Sequence, residues 1–210
     1  MARGLLLTLA IPMAVLLPAL AGAGGLAPRV LADFEGATAG AAGAEALVRP
    51  PSTATARRIP DGGGQAVEVS GRQAPPGLAG VRITFQDAGG GRPAVVDGSR
   101  YDYLTFRIRS TGGASRVQVK ISDSGTARND AVDAGDLTRY LPQGLSGEWQ
   151  QVAVPLGALG LNRKALAGLT LVVLDPADFT FAVDDLALKR EPEDALPPAR
   201  RRGGVPSLER

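Results

Sequence analysis

Short runs in which every second residue is apolar constrain this chain most. In Tyr103 to Arg109, YLTFRIR, Leu104, Phe106 and Ile108 share one side, and Tyr103, Thr105, Arg107 and Arg109 take the other. In Arg116 to Ser122, RVQVKIS, Val117, Val119 and Ile121 point one way, and Gln118 and Lys120 the other. Successive strand side chains point to opposite faces, so this period marks half-buried strands. The short Ser110 to Ala114 segment (STGGA) between the runs reads as the turn of an antiparallel pair. The same alternation recurs at Ala66 to Ser70 and Val81 to Phe85. Val30 to Glu35 reads as a first strand, Ala54 to Ile59 as an edge strand and Glu148 to Leu156 as a late strand. Leu169 to Leu174, LTLVVL, is apolar almost throughout, as in a strand that is buried on both sides or central. A further short strand is expected at Thr138 to Leu141, and a helical turn within Gly157 to Ala167.

The closing run, Phe179 to Leu188, changes phase. Phe179, Phe181 and Val183 are odd-numbered, Leu186 and Leu188 even-numbered, and Asp184 and Asp185 lie between. Keeping both apolar sets inside requires a bulge or a twist at the two acids. About nine short strands separated by Gly- and Pro-rich turns, with almost no helix, predict an all-β jelly-roll β-sandwich of antiparallel strands.

Composition removes several kinds of chemistry. The 210 residues contain no histidine and no cysteine, which excludes Ser-His-Asp and Cys-His catalysis, His-ligated zinc and disulfides. No lysine is followed by Ser or Thr, so a P-loop ending is absent. No carboxylate pair forms a recognisable glycosidase motif, and the chain is read as no enzyme. Basic and acidic residues nearly balance, with a formal charge of +2, and no basic-aromatic stripe points to nucleic acid.

At the ends, Arg3 followed by apolar Leu5 to Leu20 and small residues at Ala19 to Ala23 predict a signal peptide over 1–23. The run is short for a span of roughly 20 residues, so an uncleaved anchor is the lesser alternative and no membrane partner is expected after cleavage. The domain is expected over 24–190, and a disordered tail rich in Pro, Glu, Arg and Gly over 191–210. A secreted or periplasmic location follows from the signal.

The order of the pieces resembles a known group. It runs from DFE (Asp33, Phe34, Glu35) through Tyr101, Leu104, Phe106, Ile108, Arg109 and then Val117, Val119, Ile121, Asp123. EWQQVAVPL (Glu148 to Leu156) and FAVDDLAL (Phe181 to Leu188) follow. This resembles galactose-binding-domain-like β-jelly rolls, including carbohydrate-binding modules such as family eleven and the complex I intermediate-associated proteins. The resemblance implies a structural calcium site using Glu35 and Asp184, with Asp33 and Asp185 as neighbours. Calcium takes six to eight oxygens, so carbonyls and water would complete its shell. Solvent exposure, backbone capping or pairing with arginine are the other uses open to these acids.

The resemblance also implies a glycan groove on a sheet face and a tryptophan used mainly for packing. Tyr103, Arg107, Arg109, Gln118 and Lys120, taken as one outer face, are the expected ligand contacts, since forked and planar donors beside an aromatic suit sugar hydroxyls. Tyr101 and Tyr140 are further candidate platforms. The expected function is that of a non-catalytic, secreted carbohydrate-binding module whose partner is a glycan or polysaccharide. The alternative is a protein-interaction or envelope-assembly sandwich with no sugar ligand.

Overall fold

The computed structural model describes residues 26–32, 34, 43–62, 64–86, 93–113, 116–124 and 131–191. The expected signal and nearly all of the expected tail lie outside these residues, as do Asp33 and Glu35. Among the described residues are eleven strands: β1 (Arg29–Ala32), β2 (Ala44–Arg49), β3 (Thr53–Asp61), β4 (Gly64–Arg72), β5 (Leu78–Thr84), β6 (Tyr103–Gly112), β7 (Val117–Asp123), β8 (Val132–Asp136), β9 (Gln150–Pro155), β10 (Leu166–Val173) and β11 (Asp178–Lys189). A six-stranded sheet has the order β3-β4-β11-β6-β9, with β1 also paired to β11. A five-stranded sheet has the order β2-β5-β10-β7-β8. All these pairings are antiparallel, as the jelly-roll reading requires.

The alternating residues build the core between the sheets. Val67, Val69, Phe106, Ile108, Phe181 and Val183 come from the larger sheet, and Val81, Ile83, Val119, Ile121, Leu169 and Leu171 from the smaller. All are fully buried, and each large side chain contributes about 1.5–3 kcal/mol by leaving water. β10 is the central strand of its sheet, as its continuous apolar run predicts.

The closing strand bulges where its phase changes. Asp184 pairs with Arg107 and Ala187 with Thr105, so β11 carries one more residue than β6 across that interval. Asp185 has φ of 51°, the left-handed conformation that a bulge imposes and that few side chains tolerate. On its other side β11 changes partner there, pairing with β4 through Val183 and with β1 from Leu186. First and last strands are thus neighbours, and the bulge lies at the joint.

One expectation fails with consequences for the site. β6 and β7 do not form a hairpin. β6 pairs with β11 and β9, while β7 pairs with β10 and β8. The connection crosses from one sheet to the other and is tied at its far end, where Arg116 N–H donates to Asp175 Oδ2 at 2.7 Å and Leu174 N–H to the Arg116 carbonyl at 3.0 Å. A short glycine-bearing link fits a tight hairpin and a sheet crossing equally well. The partner is chosen by the two-sided demand of β10 and β11, central strands that each need a neighbour on both edges.

Smaller differences follow from weak local patterns. β2, AEALVR, has no clean alternation and is absent from the sequence reading. The strand expected at Thr138 to Leu141 lies earlier, at Val132–Asp136. It is followed by a 3-10 turn, Leu137–Arg139, because the Asp136 side chain accepts from Thr138 N–H and caps that turn. The helical turn expected within Gly157 to Ala167 appears as 3-10 turns at Leu156–Ala158 and Arg163–Ala165. Among the described residues, no helix is long and apolar enough to cross a membrane.

Candidate functional site

The five predicted contacts stand on two opposite outer faces. Tyr103, Arg107 and Arg109 lie on β6 of the six-stranded sheet, Gln118 and Lys120 on β7 of the five-stranded sheet. A sandwich core separates them, so they cannot form one surface.

On the six-stranded sheet the arginines are already engaged. The bulge turns Asp184 outward beside its cross-strand partner Arg107, whose Nη2 donates to Asp184 Oδ2 at 2.7 Å. Arg107 Nε lies 2.7 Å from Asp185 Oδ2, but its N–H is not aligned for a hydrogen bond, and the contact is Coulombic. Asp61, at the end of β3, places its oxygens 3.7 Å from Arg107 and 3.6 Å from Arg109. It also accepts from the Trp149 ring N–H at 3.1 Å. The guanidinium carbons of Arg107 and Arg109 lie 5.0 and 4.6 Å from the Trp149 ring centroid, within cation–π range. β3 is an edge strand, and Trp149 directly precedes β9, the opposite edge. Their bond joins the two margins above the face.

Asp184 is the buried acid of this cluster, with a side chain only 6% exposed. Burial raises its pKa to about 6. The neighbouring Asp185 charge adds to that rise, while the Asp185 backbone N–H and Arg107 oppose it. The tryptophan was expected to serve in packing, and Asp61 was not among the expected site residues. No local signal joins residues so distant in the chain.

The geometry at Asp184 does not suit calcium. One carboxylate oxygen is held by Arg107 and the other by Asp185 N–H at 2.7 Å. Among the described residues no three acids gather into a cation shell. The expected partner Glu35 lies outside them. Pairing with arginine, one of the alternatives left open above, is the use observed for Asp184.

The candidate tyrosine platforms are also largely occupied. The Tyr101 ring is buried and its hydroxyl donates to the Ala27 carbonyl at 3.3 Å, while the Tyr140 hydroxyl donates to the Ala134 carbonyl. Tyr103 is half-buried and makes no side-chain hydrogen bond among the described residues.

The outer face of the five-stranded sheet is built differently. Gly168, Thr170 and Val172 of β10 alternate with the core residues Leu169, Leu171 and Val173 and form a floor of short groups. Register places Thr84 and Ser122 beside Gly168, Arg82 and Lys120 beside Thr170, and Gly80 and Gln118 beside Val172. At Gly80 a Cβ would come 2.0 Å from the Leu171 carbonyl, so only glycine fits this part of the floor. Longer side chains flank a strip so shielded that Thr170 and Val172 are only 7% and 6% exposed despite facing outward.

The acids at the β8 margin are committed locally. Asp133 accepts from Gln118 Nε2 and from Gly135 N–H, both at 2.7 Å. Asp136 pairs with Arg116 at 2.9 Å. Burial alone would raise the Asp136 pKa, but hydrogen bonds from Thr138 and Arg116 hold it below the usual value.

Neither a protein-family model nor a curated protein sequence matches the chain. Solved structures do. A family 11 carbohydrate-binding module from Clostridium thermocellum, in complex with a β-1,3-1,4-mixed-linked tetrasaccharide, superposes with a TM-score of 0.60 at 16% identity. The likeness covers 77% of this chain and 95% of that one. The family 11 module of the cellulase Lic26A-Cel5E of the same organism gives 0.59 at 14% identity, over 79% and 96% of the two chains. A β-1,2-glucanase from Parabacteroides distasonis gives 0.54 at 19% identity, over 76% of this chain but 24% of that chain. The fold is therefore a jelly-roll β-sandwich like that of these carbohydrate-binding modules.

Proposed function

We propose that this protein is a non-catalytic glycan-binding module and that it binds through the outer face of the five-stranded sheet. One observation carries the reading. Short groups along β10 are bordered by the hydroxyl, amide and cationic side chains of Thr84, Arg82, Gln118, Lys120 and Ser122. Such groups can donate to and accept from vicinal sugar hydroxyls along an extended chain. Likeness in fold to carbohydrate-binding modules supports the reading. Tyr103, Arg107 and Arg109 drop out of the proposed contact set, because both arginines are tied to acids and to Trp149 on the opposite face. Export through the signal over 1–23 to a secreted or periplasmic location belongs to the same proposal.

Affinity electrophoresis of the domain through a panel of soluble polysaccharides tests it. Retardation by at least one, lost in the double variant Gln118→Ala, Lys120→Ala and kept in Arg107→Ala that remains folded, is the expected result. No retardation by any polysaccharide overturns it. The alternative of a protein-docking sandwich has one observation in its favour: no aromatic side chain stands among the β5, β10 and β7 residues of this face. Co-purification of an envelope protein, lost in the same double variant, would establish that alternative.

A further inference from the structure

Four strands end the two sheet orders, β3 and β9 in the larger sheet and β2 and β8 in the smaller. An edge strand offers unpaired N–H and C=O groups to any chain that can match them, and the charges it carries decide which chain can. β3 has Arg57 and Arg58 at its middle and Pro60 beyond, so self-pairing centred there sets like charges together. β8 carries only acids, Asp133 and Asp136, and β9 carries no charge. β2, AEALVR, is different, with Glu45 near one end and Arg49 at the other.

The hydrogen-bond pattern fixes which backbone groups of β2 are left over. Thr84 N–H donates to the Gly43 carbonyl. Onward in the same register, Glu45 lies opposite Arg82, Leu47 opposite Gly80 and Arg49 opposite Leu78. Bonded and non-bonded pairs alternate along an antiparallel ladder, so these odd-numbered residues are the ones bonded to β5. The next ladder agrees, since Phe85 N–H, one residue on, donates to the Ala167 carbonyl of β10. The N–H and C=O groups of Ala44, Ala46 and Val48 therefore point away from β5, toward the edge. Among the described residues, β2 pairs with β5 alone.

If a second β2 is added antiparallel, even-numbered residues must meet even-numbered ones, because only they have backbone bonds left to make. One such register sets Ala46 opposite Val48 of the second copy and Leu47 opposite Leu47. In it Glu45 of each copy faces Arg49 of the other, twice by symmetry. A shift of two residues either way loses both charge pairs. The Glu45–Arg49 contacts fall at non-bonded positions, where side chains stand closest, with Cα atoms about 4.5 Å apart. Glu45 and Arg49 are exposed and make no side-chain hydrogen bond or ion pair among the described residues. Val48, on the core-facing side of β2, is 45% exposed, and this register lays Ala46 of the second copy beside it.

We propose that β2 is a self-pairing edge whose partner is a second copy of this chain, joined antiparallel about a twofold axis through Leu47. The axis stands perpendicular to the sheet, so the two five-stranded sheets run on as one and their outer faces look the same way. The pairing does not depend on the glycan reading. Where both hold, two binding faces lie side by side and act with avidity on one polymer. An edge of six residues is a small interface, so the dimer is weak and exchanges.

Sedimentation equilibrium of the full chain from about 10 µM to about 1 mM tests the proposal. The expected result is a monomer at the low end and a dimer at the high end. Glu45→Arg and Arg49→Glu each replace two attractive pairs by two repulsive ones, and each should weaken association at least about tenfold. Both change exposed positions outside the core, so the fold persists. Mixing the two variants restores both attractive pairs, now between unlike copies, and should form a heterodimer about as strong as the parent dimer. A parent that stays monomeric to the top of the range overturns the proposal. So does a dimer that neither variant weakens, or a mixture that associates no better than its components, since either places the contact elsewhere. In each of these cases retardation of the monomer by a polysaccharide still tests the glycan reading by itself.

Discussion

Two outer faces of one sandwich each set basic side chains beside aspartates, and the contacts made there differ. On the six-stranded sheet Arg107 and Arg109 face three aspartates and an indole, and the hairpin end at Asp61 ties one edge of the sheet to Trp149 at the other. On the five-stranded sheet Lys120 sits beside an aspartate that answers to other donors. The first arrangement satisfies charge internally and fastens the fold. The second leaves the Lys120 ammonium without an ion pair or hydrogen bond among the described residues. What distinguishes them is where the neighbouring carboxylates point.

The comparison breaks most easily at Arg107. Arg107→Ala leaves Asp184 buried without its cation and should cost about 2–3 kcal/mol in urea unfolding, somewhat below the cost for a fully buried pair because Arg107 is 25% exposed. Lys120→Ala, by contrast, should stay within about 0.5 kcal/mol of the parent. Equal costs would mean that the two faces do not differ as described.

Acidity gives the next effect. Asp184 binds its proton more tightly folded, at a pKa of about 6, than unfolded, at 3.8. Its contribution to stability is therefore present at low pH and is lost as pH rises from about 4 through 6, a decline of about 2–3 kcal/mol. Melting curves compared across that window should show the decline in the parent and little of it in Asp184→Asn. A parent and variant that run parallel would remove Asp184 as its source.

A smaller loss, about 1–2 kcal/mol, is expected for Trp149→Phe, which keeps a ring under the guanidinium groups but deletes the bond to Asp61. Trp149 is the only tryptophan in the chain, so its emission reports on this cluster alone. Saturation with a bound polysaccharide should leave that emission unchanged, since the proposed ligand occupies the other face. A marked shift would move the binding site to the six-stranded sheet. Chelation by EDTA should leave the melting temperature unchanged, because Arg107 already holds the Asp184 carboxylate. A drop reversed by calcium would restore a metal to the fold.

Local periodicity determined much of this protein unaided. Alternation in YLTFRIR, RVQVKIS and FTFAV placed the buried residues correctly, since a strand with one face in the core has only one workable phase. The phase change across Asp184 and Asp185 announced the bulge for the same reason, and LTLVVL announced a central strand. Periodicity is silent on which strand lies beside which. It put Arg107 and Lys120 on a common face when the chain crosses between sheets after Gly112, because a short link permits either path. Nor could it bring Asp61 to Trp149, or turn Asp133 away from Lys120 toward Gln118 and Gly135. Those relations depend on distances between residues far apart in the chain or on the orientation of a single carboxylate. The fold's inside was thus written in the sequence. Which charges on its outside meet a partner was decided only when two sheets closed on each other.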